Sequence, residues 1–172
     1  MPESALIRAA TAADGEALAC IYNHYIVNTV ATFEETPVSA EEMAVRVAET
    51  TAATLPWLVA ETPAGVVGYA YASRWKGRCA YRHSVEVTVY LDAAVVGQGL
   101  GTLLYTALFD CLRRSGSHVA SGGIALPNAA SVALHEKFAM RKAAHFSEVG
   151  YKFGGWVDVG YWQLTLQEPE RC

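Results

Sequence analysis

Apolar positions recur along this chain at two different periods. At Val85, Val87, Val89 and Leu91 they alternate with Glu86, Thr88 and Tyr90. That period of two predicts a strand with two distinct faces. From Leu100 the apolar residues fall at Leu103, Leu104, Ala107, Leu108, Cys111 and Leu112. Steps of three and four predict the strongest helix of the chain, which Gly116 ends.

The same reading extends to both ends. Ala5–Ala9 is a short strand. Thr11 with Asp14 opens a helix carrying Leu18, Ile21, Tyr22 and Tyr25, and Ser39 with Glu42 opens a second one through about Thr50. Trp57–Glu61 and Val66–Ser73 are strands joined by Pro63-Ala64-Gly65, a predicted hairpin. His118–Leu126 is a strand. Asn128 caps a helix to about Phe138, with Ala130, Ala133, Leu134 and Phe138 as its buried face. Strands near Arg141–Tyr151 and Val157–Leu166 meet at Gly154-Gly155. The order β-α-α-β-β-β-α-β-α-β-β predicts an α/β (α+β) fold, one mixed sheet with helices on both faces. No repeat or linker divides residues 1–172, so a single domain is expected.

Composition narrows the class. Of 172 residues 52% are hydrophobic and only 17% charged, against a usual ~25% charged, which excludes a disordered chain. Thirteen Lys+Arg against seventeen Asp+Glu give −4, and no basic run suggests nucleic acid. No apolar run reaches the ~18 residues of a membrane span. The start, with Glu3, has no signal-peptide pattern. Cys20, Cys79, Cys111 and Cys172 form no CxxC pair or zinc pattern, so reduced thiols in a cytoplasmic protein without a metal are expected.

Three places carry candidate chemistry. The first is Gly97-Gln98-Gly99-Leu100-Gly101, between a strand and a strong helix. Glycines admit a close ligand, and a helix N-terminus adds N–H groups and partial positive charge, so an anion such as a pyrophosphate is expected there. The P-loop Lys is absent, and the third glycine comes one position early for a dinucleotide fingerprint. The second is the polar face of the preceding strand, Glu86, Thr88 and Tyr90, a candidate site wall. Asn128, Ser131 and His135 form a matching stripe on a later helix. The third is Arg74–Arg82, where Arg74, Lys76, Arg78 and Arg82 stand among Trp75 and Tyr81. Such a loop suits an anionic small molecule.

Together these pieces resemble the GCN5-related N-acetyltransferases (GNAT) over nearly the whole chain. Finer segments are similar to the phosphinothricin and methionine sulfoximine N-acetyltransferase group: Tyr22-Asn23-His24-Tyr25-Ile26, Pro56–Glu61, Trp75-Lys76-x-Arg78-x-Ala80-Tyr81, Glu86-x-Thr88-Val89-Tyr90, Leu126-Pro127-Asn128 and Gly155–Leu164. The resemblance implies a GNAT fold with a mostly antiparallel sheet and acetyl-CoA as donor. It implies that the pyrophosphate sits on Val96, Gly97, Gln98, Gly99, Leu100 and Gly101. The pantetheine arm would lie along Val89, Tyr90 and Leu91, with Asn128 and Ser131 on its other side. It implies Glu86 as general base, His135 as general acid, and acceptor contacts from Phe33, Lys76, Arg78, Tyr81, Thr88 and Tyr90. The acceptor would be a small amine with an acidic group, and the protein a homodimer. Two positions depart from the group: Val96 stands at the usual Gln/Arg of the turn, and Ala139-Met140 replaces Gly-aromatic after the fourth helix. Other amines as acceptor, or a non-catalytic acetyl-CoA sensor, are the alternative functions.

Overall fold

The computed structural model describes residues 5–166; Glu3 and Cys172 lie outside them. The elements are β1 (Leu6–Ala9), α1 (Gly15–Asn28), α2 (Ala40–Ala52), β2 (Trp57–Thr62), β3 (Gly65–Arg74), β4 (Ser84–Leu91), α3 (Leu100–Arg114), β5 (Val119–Leu126), α4 (Ala129–Lys137), β6 (Arg141–Lys152) and β7 (Gly155–Thr165). Their order is the expected one. Three short 3₁₀ turns, Ala12–Asp14, Cys79–Tyr81 and Ala93–Val95, are additional. The seven strands hydrogen-bond in the order β1-β2-β3-β4-β5-β7-β6. The pairings β1–β2, β2–β3, β5–β7 and β6–β7 are antiparallel, and β4–β5 is parallel. Thus β7 inserts between β5 and β6, which chain order alone does not reveal.

The described residues form two compact units, 5–72 with Thr88–Leu108, and Ser73–Val87 with 109–166. In the first unit, Leu18, Ile21, Ile26, Met43, Val47, Val59 and Tyr69 build the core. The Ser39 hydroxyl accepts from the Glu42 amide at 3.1 Å, and the Glu42 carboxylate accepts from the Ser39 amide at 2.7 Å. This reciprocal cap starts α2 as its sequence predicts. Thr11 starts a 3₁₀ turn rather than the helix itself, and α1 follows from Gly15. Arg8 bonds Glu61 at 2.7 Å and Asp14 at 2.8 Å, tying β1 and β2 to that turn.

In the second unit, β5 is flanked by β4 and β7. Its ladder to β4 pairs Ser84, Val85 and Glu86 with Val119, Ala120 and Ser121, whereas its ladder to β7 runs through Leu126. Asn128 caps α4, its side-chain oxygen accepting from the Ser131 amide at 3.1 Å. Ala139 takes φ 60° after α4, the left-handed conformation the sequence departure implies, at a cost of ~1 kcal/mol relative to glycine. Among the described residues no helix is long and apolar enough to cross a membrane.

Candidate active site

Strand β5 carries two adjacent glycines, and each makes room for one of the two candidate catalytic residues. A Cβ on Gly122 would lie 2.6 Å from His135 Cδ2. A Cβ on Gly123 would lie 3.3 Å from Glu86 Oε1 and 3.1 Å from Tyr161 Cζ. Successive strand residues face opposite ways. Glu86 and His135 therefore stand over opposite faces of β5, just past Ser121, where its pairing with β4 stops.

Glu86 is half-buried, while its strand neighbours Val85 and Val87 are buried at 2% and 3% exposure. The alternation thus places the carboxylate on the polar face. Burial pushes its pKa up, and the positive charge of Lys76 partly opposes this. Tyr161 of β7 shares the same surroundings, with its pKa raised by burial and by the Glu86 charge. Trp75 and Phe146 meet the Tyr161 ring edge-on at 5.5 and 5.9 Å. Chain pattern gives Tyr161 no place in the site and Trp75 a place only within the candidate basic loop. Both fall in segments that carried the family resemblance, but nothing in chain order sets β7 beside β5.

His135 is 3% exposed. Its Nδ1 meets the Ser131 carbonyl at 2.7 Å. A carbonyl only accepts, so Nδ1 bears the hydrogen, and in the neutral ring Nε2 is the acceptor nitrogen. Burial lowers the pKa, which keeps the ring neutral at pH 7. The expected buried face of α4 needs correction. Ala130 and Ala133 are exposed, Leu134 and Phe138 half-buried, and His135 is the buried residue. The reason is Gly122: a bare strand position admits an imidazole that an alanine stripe could not replace.

The Arg74–Arg82 loop is largely exposed. Lys76 lies 5.0 Å from the Trp75 ring centroid. Arg78 precedes the 3₁₀ turn, its carbonyl accepting from the Tyr81 amide at 3.0 Å, and Tyr81 is 43% exposed. Lys76 is the loop residue whose charge reaches Glu86.

The remaining candidates lie in the first unit. Gly97 and Gly99 take φ 84° and 85°, and a Cβ on either would meet nothing within 4 Å. Backbone conformation, rather than crowding, calls for glycine there, and the space above the turn is open. Helix α3 begins at Leu100 with its first N–H groups at that turn. This is a fitting cradle for an anion, and Val96, 54% exposed, adds no polar group. Val89, Tyr90 and Leu91 are half-buried, and the Leu91 carbonyl accepts from Tyr25 at 2.6 Å. Thr88 is half-buried and Phe33 40% exposed. Tyr90 belongs to an aromatic cluster, its ring 5.0–5.6 Å from those of Tyr25, Tyr22 and Tyr69. Among the described residues no group of three or more His, Cys, Asp or Glu could hold a metal.

Residues 7–160 match the model of the acetyltransferase (GNAT) domain. A phosphinothricin N-acetyltransferase of Streptomyces viridochromogenes is 41% identical over 95% of this chain and 88% of its own. An L-methionine sulfoximine/L-methionine sulfone acetyltransferase of Salmonella typhimurium is 37% identical over 96% of this chain and 99% of its own. A Salmonella typhimurium acetyltransferase solved with acetyl-CoA superposes with a TM-score of 0.94 at 36% identity, covering 98% of each chain. The seven-stranded mixed sheet, the strand–glycine turn–helix passage and these matches agree: the chain belongs to the GNAT acetyltransferase family.

Proposed function

We propose that the protein, acting as one domain over residues 1–172, transfers the acetyl group of acetyl-CoA to the α-amine of a small amino-acid-like acceptor. The acceptor is of the phosphinothricin, methionine sulfoximine or methionine sulfone type. The observation that carries this is Glu86, a half-buried carboxylate beside Tyr161 with a raised pKa and a lysine charge in reach. A carboxylate with an elevated pKa is a stronger base, suited to removing a proton from an incoming ammonium. The freed amine attacks the thioester carbonyl, a backbone N–H near Val89 stabilises the oxyanion, and the thiol leaves. Lys76 and Arg78 hold the acceptor's acidic end, with Phe33, Tyr81, Thr88 and Tyr90 around it. The open turn of residues 96–101 takes the pyrophosphate, and Val89–Leu91 with Asn128 and Ser131 take the pantetheine arm. His135 is the acid for the departing thiolate. With Nδ1 committed to Ser131, it delivers a proton from Nε2 only after the ring has gained one. The test is thiol release from acetyl-CoA across phosphinothricin, methionine sulfoximine, methionine sulfone, ordinary amino acids and polyamines. Turnover of the first three supports the reading. Binding of coenzyme A with no turnover across the panel identifies a sensor instead.

The same reading makes the protein a cytoplasmic homodimer. Cys20, Cys79 and Cys111 carry free thiols, as a reducing compartment expects. Phe146, Val149, Tyr151, Phe153 and Trp156 of the β6–β7 hairpin are 49–65% exposed, an apolar patch of the kind that pairs with another surface. Sedimentation equilibrium tests the dimer: Phe153→Ser with Trp156→Ser yields monomers, and an unchanged mass overturns this interface.

A further inference from the structure

Tyr161 stands beside the proposed base, yet the proposed chemistry leaves it without a task. It pairs with Gly123 across β5 and β7, and directly paired residues share a face of the sheet. A Cβ on Gly123 would lie 3.1 Å from Tyr161 Cζ, 3.2 Å from its Cε1 and 3.3 Å from Glu86 Oε1. The ring therefore leans over the bare glycine, and its hydroxyl-bearing carbon and the carboxylate flank one and the same point. Trp75 and Phe146 meet the ring at interplanar angles of 79° and 87°, the edge-to-face arrangement that aromatic pairs favour. All of these residues belong to the second unit.

The hydroxyl is available. Among the described residues it has no hydrogen-bond partner. Trp57 Nε1 is the one buried side-chain polar atom among them without a partner, so the Tyr161 hydroxyl, also unpartnered, is open to solvent. Burial and the Glu86 charge raise its pKa, so it stays a neutral donor at pH 7. An α-amino acid carries its carboxylate on the same carbon as its amine. Whatever brings that amine to Glu86 brings the carboxylate into the same space, where it needs a donor that adds no negative charge. We infer that the Tyr161 hydroxyl donates a hydrogen bond to the α-carboxylate of the acceptor, an inference that rests on the acetyl-transfer reading. It adds a neutral donor, fixed on the sheet, to the charges of Lys76 and Arg78. Tyr161 thereby separates α-amino acids from plain amines.

The experiment compares each amino acid that the parent protein acetylates with the amine left by removing its carboxylate, in the full chain and in Tyr161→Phe. Methionine sulfone and its decarboxylated amine are the first pair. Phenylalanine keeps the ring between Trp75 and Phe146 and removes only the hydroxyl. Thiol release gives kcat/KM for each acceptor. Tyr161→Phe lowers the preference for the amino acid over the amine about tenfold, the lower end for a hydrogen bond to a charged group, and the loss falls on KM for the amino acid. A merely structural role would weaken both acceptors alike and leave the preference where it was. Where the amine is too slow to measure as an acceptor, its inhibition of amino-acid turnover gives the same comparison. An unchanged preference, with or without loss of overall activity, overturns the role of Tyr161 and leaves the acetyl-transfer reading intact. Failure of the parent protein to acetylate any amino-acid acceptor overturns both.

Discussion

Gly122 and Gly123 are neighbours on one strand, yet they support opposite kinds of chemistry. Over Gly122 lies His135, nearly sealed from solvent and bonded to its own helix backbone. Over Gly123 lies Glu86, half-buried and accompanied by Tyr161 and the charge of Lys76. Burial acts on both in the same sense, against the charged form, so the carboxylate pKa rises and the imidazole pKa falls. The two shifts run in opposite directions, and each favours the uncharged side chain. What differs is access. Glu86 is half-buried, whereas His135 has Nδ1 engaged and its ring enclosed.

Replacing Glu86 gives the largest expected effect. Glu86→Gln lowers kcat by about 10²–10⁴-fold, the range of a positioned base. In the parent protein kcat/KM rises with pH through the elevated Glu86 pKa, because only the carboxylate accepts a proton. In Glu86→Gln that limb disappears. Initial rates of thiol release from pH 5 to 9 measure both. A full kcat at every pH in the variant removes Glu86 from the chemistry.

The glycines themselves separate the two sides. Gly122→Ala drives a methyl into a buried ring held from behind, so overpacking costs about 1–3 kcal/mol and lowers Tm by several degrees. Gly123→Ala meets Tyr161 and the end of the Glu86 side chain at 3.1–3.3 Å, distances a half-buried side chain can relieve by moving. Its stability loss is smaller, and its effect falls on kcat, because it displaces the proposed base. Thermal denaturation together with kcat for each variant checks this. Equal losses of stability from both would mean that Glu86 is as tightly held as His135.

Much of this was legible in the chain before any coordinates. The period-two run Val85–Leu91 indicates which side of β4 carries Glu86, and burial follows that alternation through Val87. The Ser39/Glu42 cap and the Asn128 cap start their helices where the side chains can bond the first amides. Non-local pairing was not legible. Tyr161 reaches Glu86 only because β7 inserts between β5 and β6, and no local period encodes that. The face of α4 was misread for a related reason. An alanine stripe resembles a buried face by pattern, but the vacancy that decides burial is on another strand, at Gly122.

Lys76 tests the electrostatic half of the contrast. Its charge favours the Glu86 carboxylate, so Lys76→Met lets the Glu86 pKa rise further and moves the acid limb of the kcat/KM profile to higher pH. The same substitution raises KM for acidic acceptors about tenfold, as loss of a hydrogen bond to a charged group would. Phosphinothricin kinetics as a function of pH read both changes. An unmoved limb would mean that solvent screens Lys76 from Glu86, and an unmoved KM would free the loop from substrate binding.

The smallest effect concerns stability rather than rate. A carboxyl whose pKa is higher in the folded than in the unfolded chain favours folding most at low pH, where both states are protonated. That contribution is lost as pH rises through the folded pKa, and at pH 7 the ionised Glu86 works against folding. Glu86→Gln removes the charge and keeps the shape, so the variant is the more stable one at pH 7, by a Tm gain on the order of 1–2 °C. The gain shrinks as pH falls, since the parent's carboxyl then becomes neutral on its own. His135 follows the reverse course: its lowered pKa makes acidification through its ordinary value near ~6.5 destabilising. Calorimetry of parent and Glu86→Gln from pH 4 to 8 therefore yields two Tm curves that converge on the acid side. Curves that stay parallel, or cross with the parent more stable at pH 7, would mean that the Glu86 carboxylate is compensated by Lys76 and contributes no strain to the site.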